Sequence, residues 1–347
     1  MSFAKENPPY HRNMSNNRIE TFQIGNHTVP RLFVGLWQCS SPLWGSAPLS
    51  KIKKHFQALV DAGFTAFDMA DHYGDAELLF GRFRSKYAGP EKIYCATKIC
   101  LFEQVDPTSE VMDSALAQRV KNVKADSIDL CQFYIQHYAN GEHLKALQCL
   151  DKDARVSSLG AVNFDTAKME QAIDAGITIA TNQVQFSLID SRPTVKMGSL
   201  CAKHGVKLLT YGTLCGGFLA DKWLGEPVPA MYSDGMTPSH RKYFEEIEAW
   251  GGWSLFQSLL QALKLIADKH GVSVSNVATR WVLDHEYVGA VIVGTRLGIS
   301  DRTSENLKVY GWRLDDEDQQ RVEEVLAKSR RREMFEQMGD CGMEYIH

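Results

Sequence analysis

Four titratable side chains lie at the ends of three predicted strands, where they could act together in acid–base chemistry. Asp68 lies inside an apolar run, and Tyr73 follows five residues later. Lys98 closes the next run, and His137 closes the one after it. Because a buried carboxylate needs a charged partner, we expect Asp68 to pair with Lys98. A phenol and an imidazole near such a pair could supply and orient a proton.

Each of these four residues also has a purely structural interpretation. Asp68 and Lys98 could form a buried ion pair that only supports the fold, Tyr73 could be a turn aromatic, and His137 could cap a helix. Four such groups at the ends of consecutive strands are less readily explained by chance, so we expect a site there.

Eight short apolar runs with strand character alternate with segments of helical spacing. The runs cover residues 32–36, 65–69, 92–98, 127–135, 157–163, 177–185, 206–211 and 290–294. Strict alternation predicts parallel strands joined by right-handed crossovers, and eight units over roughly 300 residues fit a closed α/β barrel of the (β/α)8, or TIM, type. An open doubly wound sheet is the alternative, but no G-x-G-x-x-G sequence follows an early strand.

Other segments complete the predicted architecture. Residues 1–18 should be a flexible tail, residues 19–328 a single barrel domain and residues 329–347 a C-terminal tail. The barrel domain should begin with a β-hairpin that turns at Gly25 and Asn26. Residues 219–252, after strand seven, form a long loop that we expect to be functional, with a surface insertion as the alternative.

Composition narrows the class of protein. The 347 residues are 44% hydrophobic and 23% charged, with a formal net charge of −4, which is ordinary for a globular protein and unlike a basic nucleic-acid binder. No uninterrupted apolar run reaches the length of a membrane span, and the start lacks a secretory signal. Eight cysteines without paired spacing predict free thiols in a reducing compartment, so we expect a cytoplasmic protein. No metal site is predicted, and the oligomeric state is not readable.

The ordered set of motifs resembles the aldo-keto reductase family. The sequence GFTAFDMADHYG at residues 63–74 is similar to that family's signature, and ATK at 96–98 and IQH at 135–137 resemble its other catalytic positions. Further similar segments are GAVNF at 160–164 (with Val162 where serine is usual), NQ at 182–183, YGTLCGG at 211–217 and RTSEN at 302–306. The resemblance covers about residues 19–328 and implies a barrel-shaped, NAD(P)H-dependent carbonyl reductase.

The resemblance implies a role for each catalytic position. Tyr73 would act as general acid and base, with its pKa lowered by the ammonium of Lys98. Asp68 would hold Lys98 in place, and His137 would orient the substrate oxygen. A small-molecule carbonyl or alcohol would be the substrate, without a nucleic acid or membrane partner.

The implied cofactor is NADP(H), with NAD(H) as the alternative. Tyr211 would stack on the nicotinamide, small residues of the 212–217 turn would approach the pyrophosphate, and a helix starting near Ser300 would receive a phosphate. Arg302 would read the 2′-phosphate, although residues 294–306 form a longer segment than is usual in the family. The predicted cofactor-binding residues are Asn163, Gln183, Tyr211, Gly212, Thr213, Leu214, Gly216, Gly294, Thr295, Arg296, Arg302, Glu305 and Asn306.

An aromatic wall should surround the substrate, which suits an apolar or ring-bearing carbonyl. The predicted pocket residues are Trp37, Trp44, His72, Tyr138, Trp223 and Tyr232. Sugars, aldehydes, quinones and ketones all remain candidates. Two alternative functions stay open: an NADP-binding regulatory or scaffold subunit with slow turnover, and an NAD-dependent sugar dehydrogenase.

Overall fold

Eight parallel strands close into a barrel in a computed structural model that describes residues 19–231 and 236–346. The strands follow one another around the barrel in chain order, and the last pairs with the first. They are β3 (Leu32–Gly35), β4 (Ala66–Asp68), β5 (Tyr94–Leu101), β6 (Leu130–Ile135), β7 (Leu159–Val162), β8 (Thr181–Gln185), β9 (Lys207–Tyr211) and β10 (Val288–Gly294). The predicted (β/α)8 fold is confirmed.

Helices cover the outside of the barrel. They are α1 (Leu49–Asp61), α2 (Ala76–Arg84), α3 (Ser109–Val123), α4 (Glu142–Asp151), α5 (Thr166–Asp174), α6 (Met197–His204), α7 (Pro238–Trp250), α8 (Gly252–His270), α9 (Val274–Leu283), α10 (Thr303–Asn306), α11 (Asp316–Leu326) and α12 (Arg331–Met338).

The two faces of each barrel strand carry different residues. On β6, Cys131, Phe133 and Ile135 belong to the apolar core between strands and helices. Because side chains alternate along a strand, Gln132 and Tyr134 point the other way, into the barrel. This alternation places polar groups along the barrel axis and fixes which residues can reach its carboxyl-terminal mouth.

The predicted hairpin closes the opposite end of the barrel. Strands β1 (Thr21–Ile24) and β2 (His27–Pro30) are antiparallel around the turn at residues 25–26. Ile24 and Val29 pack into a cluster with Phe33, Tyr94 and Leu209 of the barrel strands. The hairpin therefore buries the bottom of the barrel, so that chemistry is confined to the mouth.

Two segments differ from the sequence-based expectation. The predicted long loop contains helix α7, whose first helical residue is Pro238 and whose N-terminus is capped by the Thr237 hydroxyl. Residues 340–346, called here the C-terminal segment, are not a loose tail, because Tyr345 lines the barrel mouth and Arg192 binds Glu344. The predicted flexible tail at residues 1–18 lies outside the described residues.

Two further findings concern the cysteines and the character of the helices. All eight cysteines are free thiols, as predicted. Among the described residues, no helix combines the length and the apolar character that crossing a membrane requires.

Candidate active site

A cavity of about 540 Å³ lies at the carboxyl ends of the barrel strands. The wall includes these predicted residues: Trp37, Trp44, Asp68, His72, Tyr73, Lys98, Asn163, Gln183, Tyr211, Gly212, Thr213, Leu214, Gly216 and Gly294. Val162, the departure from the family pattern, also lines the cavity. Its isopropyl group adds apolar surface to the wall and offers no hydrogen bond.

A buried polar network forms the floor of this cavity. Lys98 Nζ donates to Asp68 Oδ2 at 2.6 Å and to the carbonyl oxygen of Met69 at 2.8 Å. The other carboxylate oxygen, Asp68 Oδ1, accepts from Nε2 of Gln132 at 2.9 Å and from Nε2 of Gln183 at 2.8 Å. The predicted ion pair is present, and the network orients it from four strands. We call Asp68, Lys98, Gln132 and Gln183 the floor network.

Tyr73 lies directly beside the floor network. Lys98 Nζ is 4.9 Å from the centroid of the Tyr73 ring. Burial, followed by the negative charge of Asp68, raises the pKa of Tyr73 well above its usual value. The pKa is thus raised and not lowered as predicted, because burial and the charge of Asp68, which already pairs with Lys98, outweigh the ammonium. The phenol stays protonated, which is the form that a proton donor needs.

The structure does not bring His137 into the cavity wall. Its Nε2 lies 3.2 Å from the carbonyl oxygen of Phe102. The wall position on β6 belongs instead to Tyr134, which is 6% exposed and follows Gln132 by two residues. His137 lies beyond the end of β6. Counting in twos from Gln132 and Tyr134, it falls on the positions that face away from the barrel interior. The period-two pattern starting at Gln132 is the sequence signal that would have identified Tyr134.

Neighbouring side chains hold three of the predicted cofactor-binding residues, Asn163, Gln183 and Tyr211. The Tyr211 hydroxyl donates to Asn163 Oδ1 at 2.9 Å, and Asn163 adopts a left-handed backbone conformation with φ of 56°. Gln183 donates its amide hydrogens to Asp68 and to Gln132 Oε1. Asn163 therefore orients the Tyr211 ring, whereas the Gln183 amide nitrogen serves the floor network.

The turn at residues 212–217 is covered by helix α7. A Cβ at Gly216 would lie 2.9 Å from the Tyr243 ring and 3.1 Å from the carbonyl oxygen of Ser239. The side of Gly212 that would carry a Cβ faces the Tyr243 hydroxyl. The small residues expected to admit a pyrophosphate thus also admit α7, which brings Ser239, Lys242 and Tyr243 into the cavity wall.

Five predicted cofactor residues after Gly294 lie outside the cavity wall. They are Thr295, Arg296, Arg302, Glu305 and Asn306. The expected helix from Ser300 is a single turn, α10, and its first N–H is already engaged, since Asp301 Oδ1 accepts from the Thr303 N–H at 2.8 Å. A phosphate at this helix start stays a prediction, with one fewer free N–H group to receive it.

Three cations nevertheless gather at this end of the mouth. Arg296 and Arg302 are exposed. Burial lowers the pKa of Lys222, and the positive charges of Arg302 and Arg296 lower it further. Mutual repulsion of this kind is relieved by an anion, so the three side chains suit a phosphate group. Lys222 was not recognised from sequence because it lies some eighty residues before the two arginines.

The aromatic wall contains only some of the predicted residues. The Trp37 and Trp44 rings meet edge to face, with centroids 5.3 Å apart, and His72 meets Phe102 in the same way at 4.9 Å. Tyr138 is buried outside the wall, against Phe164. Tyr138 packs in the helix layer, and Trp223 donates its indole N–H to the Gly217 carbonyl, so neither lines the cavity. The predicted Tyr232 lies outside the described residues.

The C-terminal segment supplies wall residues that sequence analysis missed. Arg192, only 3% exposed, donates to both oxygens of Asp190 and both oxygens of Glu344. The adjacent Tyr345 oxygen accepts from Lys242 Nζ at 3.0 Å. The segment therefore closes one side of the cavity, and no short-range pattern indicates this because its partners are more than a hundred residues away.

The site residues fit a nicotinamide dinucleotide. Gln38 lines the cavity beside Gly294, and its buried Oε1 atom has no hydrogen-bond partner among the described residues. Such an acceptor at the wall suits an amide or hydroxyl group of a ligand. The Tyr211 ring offers an aromatic face, and the Lys222 cluster offers positive charge.

Comparison with known proteins identifies the family. The model of the Aldo/keto reductase family matches residues 31–327, and the chain therefore belongs to that family of oxidoreductases. The chain is 24% identical over 318 residues to the aldo-keto reductase YhdN of Bacillus subtilis, covering 86% of this chain and 90% of that protein. Among solved structures, the glycerol dehydrogenase of Gluconobacter oxydans superposes with a TM-score of 0.71 at 23% identity, covering 90% and 96% of the two chains.

A second relative matches only part of the chain. Flagellar radial spoke protein 5 of Chlamydomonas reinhardtii is 37% identical over 131 residues, which is 38% of this chain. That match spans 25% of the flagellar protein. The identity is higher than that to YhdN, but it is confined to a short region that makes up a quarter of the flagellar protein.

Proposed function

We propose that this protein reduces the carbonyl group of a small aldehyde or ketone with NADPH, and that Tyr73 donates the proton. The observation that carries this proposal is the position of the Tyr73 phenol beside the Asp68–Lys98 pair in the wall of one cavity. Membership of the aldo/keto reductase family supports nicotinamide-dependent carbonyl chemistry of this kind.

The protein's own groups would prepare the substrate oxygen. When bound, NADPH supplies the hydride that no side chain can donate. Tyr73 Oη then passes its proton to the substrate oxygen as negative charge develops there. Asp68 and the Met69 carbonyl fix the Lys98 ammonium 4.9 Å from the centre of the Tyr73 ring, so the lysine would help to hold the phenol in place. The raised pKa of Tyr73 keeps the phenol in the protonated form from which it can donate.

Several wall features support NADPH as the cofactor. The Tyr211 ring, oriented by Asn163, would carry the nicotinamide, and the unpaired Gln38 oxygen would accept from it or its ribose. Arg302, joined by Lys222 and Arg296, would hold the 2′-phosphate. The protein would then bind NADPH more tightly than NADH because of this charge cluster, and not because of a helix N-terminus.

The wall chemistry also limits the substrate. Tryptophan, phenylalanine and tyrosine rings dominate the side of the cavity next to Tyr73. Such a wall suits a compact apolar or aromatic carbonyl. The free thiols support a reducing compartment such as the cytoplasm as the place where the reaction runs.

A fluorescence titration followed by a turnover assay tests the proposal. We expect NADPH to bind at least tenfold more tightly than NADH, and the full chain to reduce members of an aldehyde panel. Tyr73→Phe should retain NADPH binding and lose at least a hundredfold in kcat. Equal turnover by the wild type and Tyr73→Phe would exclude Tyr73 as the proton donor.

The local similarity to the flagellar protein favours a second candidate, a cofactor-binding structural subunit. Under this candidate the chain would bind NADPH without turning over any aldehyde at an appreciable rate. The same two assays separate the candidates, because binding with no turnover supports the subunit and binding with Tyr73-dependent turnover supports the reductase.

A further inference from the structure

Tyr134 is a second phenol in the cavity, and its position follows from the strand register. Its Cα pairs with that of Cys100, and Gln132, two residues earlier, pairs with Lys98. The centroid of the Tyr134 ring lies 5.5 Å from that of the Phe102 ring and 6.4 Å from that of the Tyr345 ring. Tyr134 thus stands one strand step above the floor network, on the strand next to the one that carries Lys98.

The hydrogen bonding of Tyr134 leaves its proton available. Gln136 Nε2 donates to the Tyr134 oxygen at 2.8 Å. A phenol carries one O–H and accepts through its oxygen, so this contact occupies an acceptor position and directs the hydroxyl hydrogen elsewhere. Within residues 19–231 and 236–346, no group accepts that hydrogen. An unused donor in a cavity wall is expected to serve a ligand.

We infer that Tyr134 donates a hydrogen bond to the substrate's carbonyl oxygen, alongside Tyr73, with Gln136 as its positioning residue. This inference rests on the proposed reduction. It assigns to Tyr134 the orienting role that sequence analysis gave to His137. A carbonyl oxygen has two lone pairs, so it can accept from both phenols at once.

Two phenols make this an electrically neutral pair of donors. Burial raises the pKa of Tyr134 to about 12, so its hydrogen is retained across the working range. The titratable groups acting on it are Cys100 on β5 and Glu344 and Tyr345 of the C-terminal segment. Of these, Glu344 is paired with Arg192. An imidazole donor would instead titrate near its ordinary pKa of about 6.5. The second donor should therefore add no pH dependence between about pH 5.5 and 7.5.

The test compares steady-state reduction of 4-nitrobenzaldehyde by the full chain with NADPH. Tyr134→Phe should lower kcat/KM by about 10²-fold, the size expected when one oxyanion donor is removed. NADPH binding and the thermal unfolding midpoint should stay close to those of the wild type. His137→Ala should lose at least tenfold less activity than Tyr134→Phe. The reverse order would overturn the inference.

Two further variants keep the inference testable should Tyr134→Phe fold poorly. Gln136→Glu places a carboxylate that accepts the Tyr134 hydrogen, so kcat/KM should fall at pH 8 and recover near pH 5, where the acid is protonated. Gln136→Leu, the matched control, should show a smaller loss without this pH dependence. Identical pH profiles for the two variants would overturn the inference.

Tyr134→His provides a readout that a merely structural role would not change. It should introduce a titration near pH 6.5, with activity falling as the pH rises, where the wild type is flat. A flat profile in this variant counts against donation at this position. Tyr73→Phe tests the proposed function separately. Loss in Tyr73→Phe with full activity in Tyr134→Phe refutes the second donor alone, whereas no aldehyde turnover by the wild type refutes both.

Discussion

The floor of the cavity and its rim are held together in different ways. The floor network lies on four of the barrel strands, where register and side-chain alternation fix each position. The rim, formed by residues 212–217, helix α7 and the C-terminal segment, depends on ion pairs and packing between parts of the chain far apart in sequence. The floor is consequently the preorganised part of the site, whereas the shape of the rim depends on those distant contacts.

The largest expected effect is at the floor. Lys98→Met leaves Asp68 buried with amide donors alone, which should lower the free energy of unfolding by about 3–5 kcal/mol and abolish turnover. Urea denaturation and the aldehyde assay measure both effects. The control is the double variant Asp68→Asn with Lys98→Met, which should recover most of the stability but not the activity. If the double variant were less stable than Lys98→Met, the floor would not be organised by this charge pair.

A pH effect of somewhat smaller size should arise at the rim. Burial raises the pKa of Glu246 to about 7, partly offset by Lys242 and reinforced by Asp190. The pKa of Glu246 in the folded protein exceeds its ordinary value of 4.5. Its contribution to the free energy of unfolding is therefore fully present below pH 4.5 and is lost as the pH rises through about 7. The difference in unfolding free energy between the wild type and Glu246→Gln should therefore change by about 3 kcal/mol from pH 4.5 to 8. A constant difference would show that Glu246 is not protonated in the fold.

The C-terminal segment gives a weaker but more specific test of the rim. Glu344→Gln removes the charge that Arg192 binds. We expect KM for the aldehyde to rise about fivefold, which corresponds to about 1 kcal/mol of binding free energy. We expect kcat to stay within twofold of the wild-type value. Hydrogen exchange in residues 340–346 should accelerate. The exposed Glu336 on α12 offers a matched control, Glu336→Gln, in which neither quantity should change. A fall in kcat with unchanged KM in Glu344→Gln would place the segment in the chemical step.

The smallest effect concerns the cation cluster. Lys222→Ala should weaken NADPH about fivefold, or about 1 kcal/mol, and leave NADH unchanged, because only the 2′-phosphate meets the cluster. Fluorescence titration with the two cofactors measures this selectivity. Equal weakening of both cofactors would remove Lys222 from 2′-phosphate recognition.

The strand-borne part of the molecule was predictable from sequence. Apolar runs separated by helical spacing gave the order of eight strands, and a carboxylate inside such a run required the lysine that the structure pairs with it. Both predictions use short-range patterns with a definite physical period. The same period, applied from Gln132, indicates Tyr134 rather than His137 as the residue of this segment that lines the cavity, because His137 lies beyond the end of β6.

The rim was not predictable, since its contacts are long-range. The joining of Lys242 to Tyr345 and of Arg192 to Glu344 leaves no signal in the local sequence. Helix α7 could have been recognised from Thr237 and Pro238, a capping residue followed by proline at the first helical position. The raised pKa of Tyr73 depends on burial by the assembled mouth, which composition does not reveal.

Closure of the barrel has a consequence for how the chain reaches its fold. Strand β10 pairs with β3, and the Arg31 guanidinium donates to Gly289, 258 residues away along the chain. Before this contact forms, the outer sides of β3 and β10 are unpaired edges, which can pair with other chains. Contacts this distant in sequence form slowly. The yield of folded protein should therefore depend on a competition between closure and aggregation, which dilution and low temperature during expression would shift toward closure.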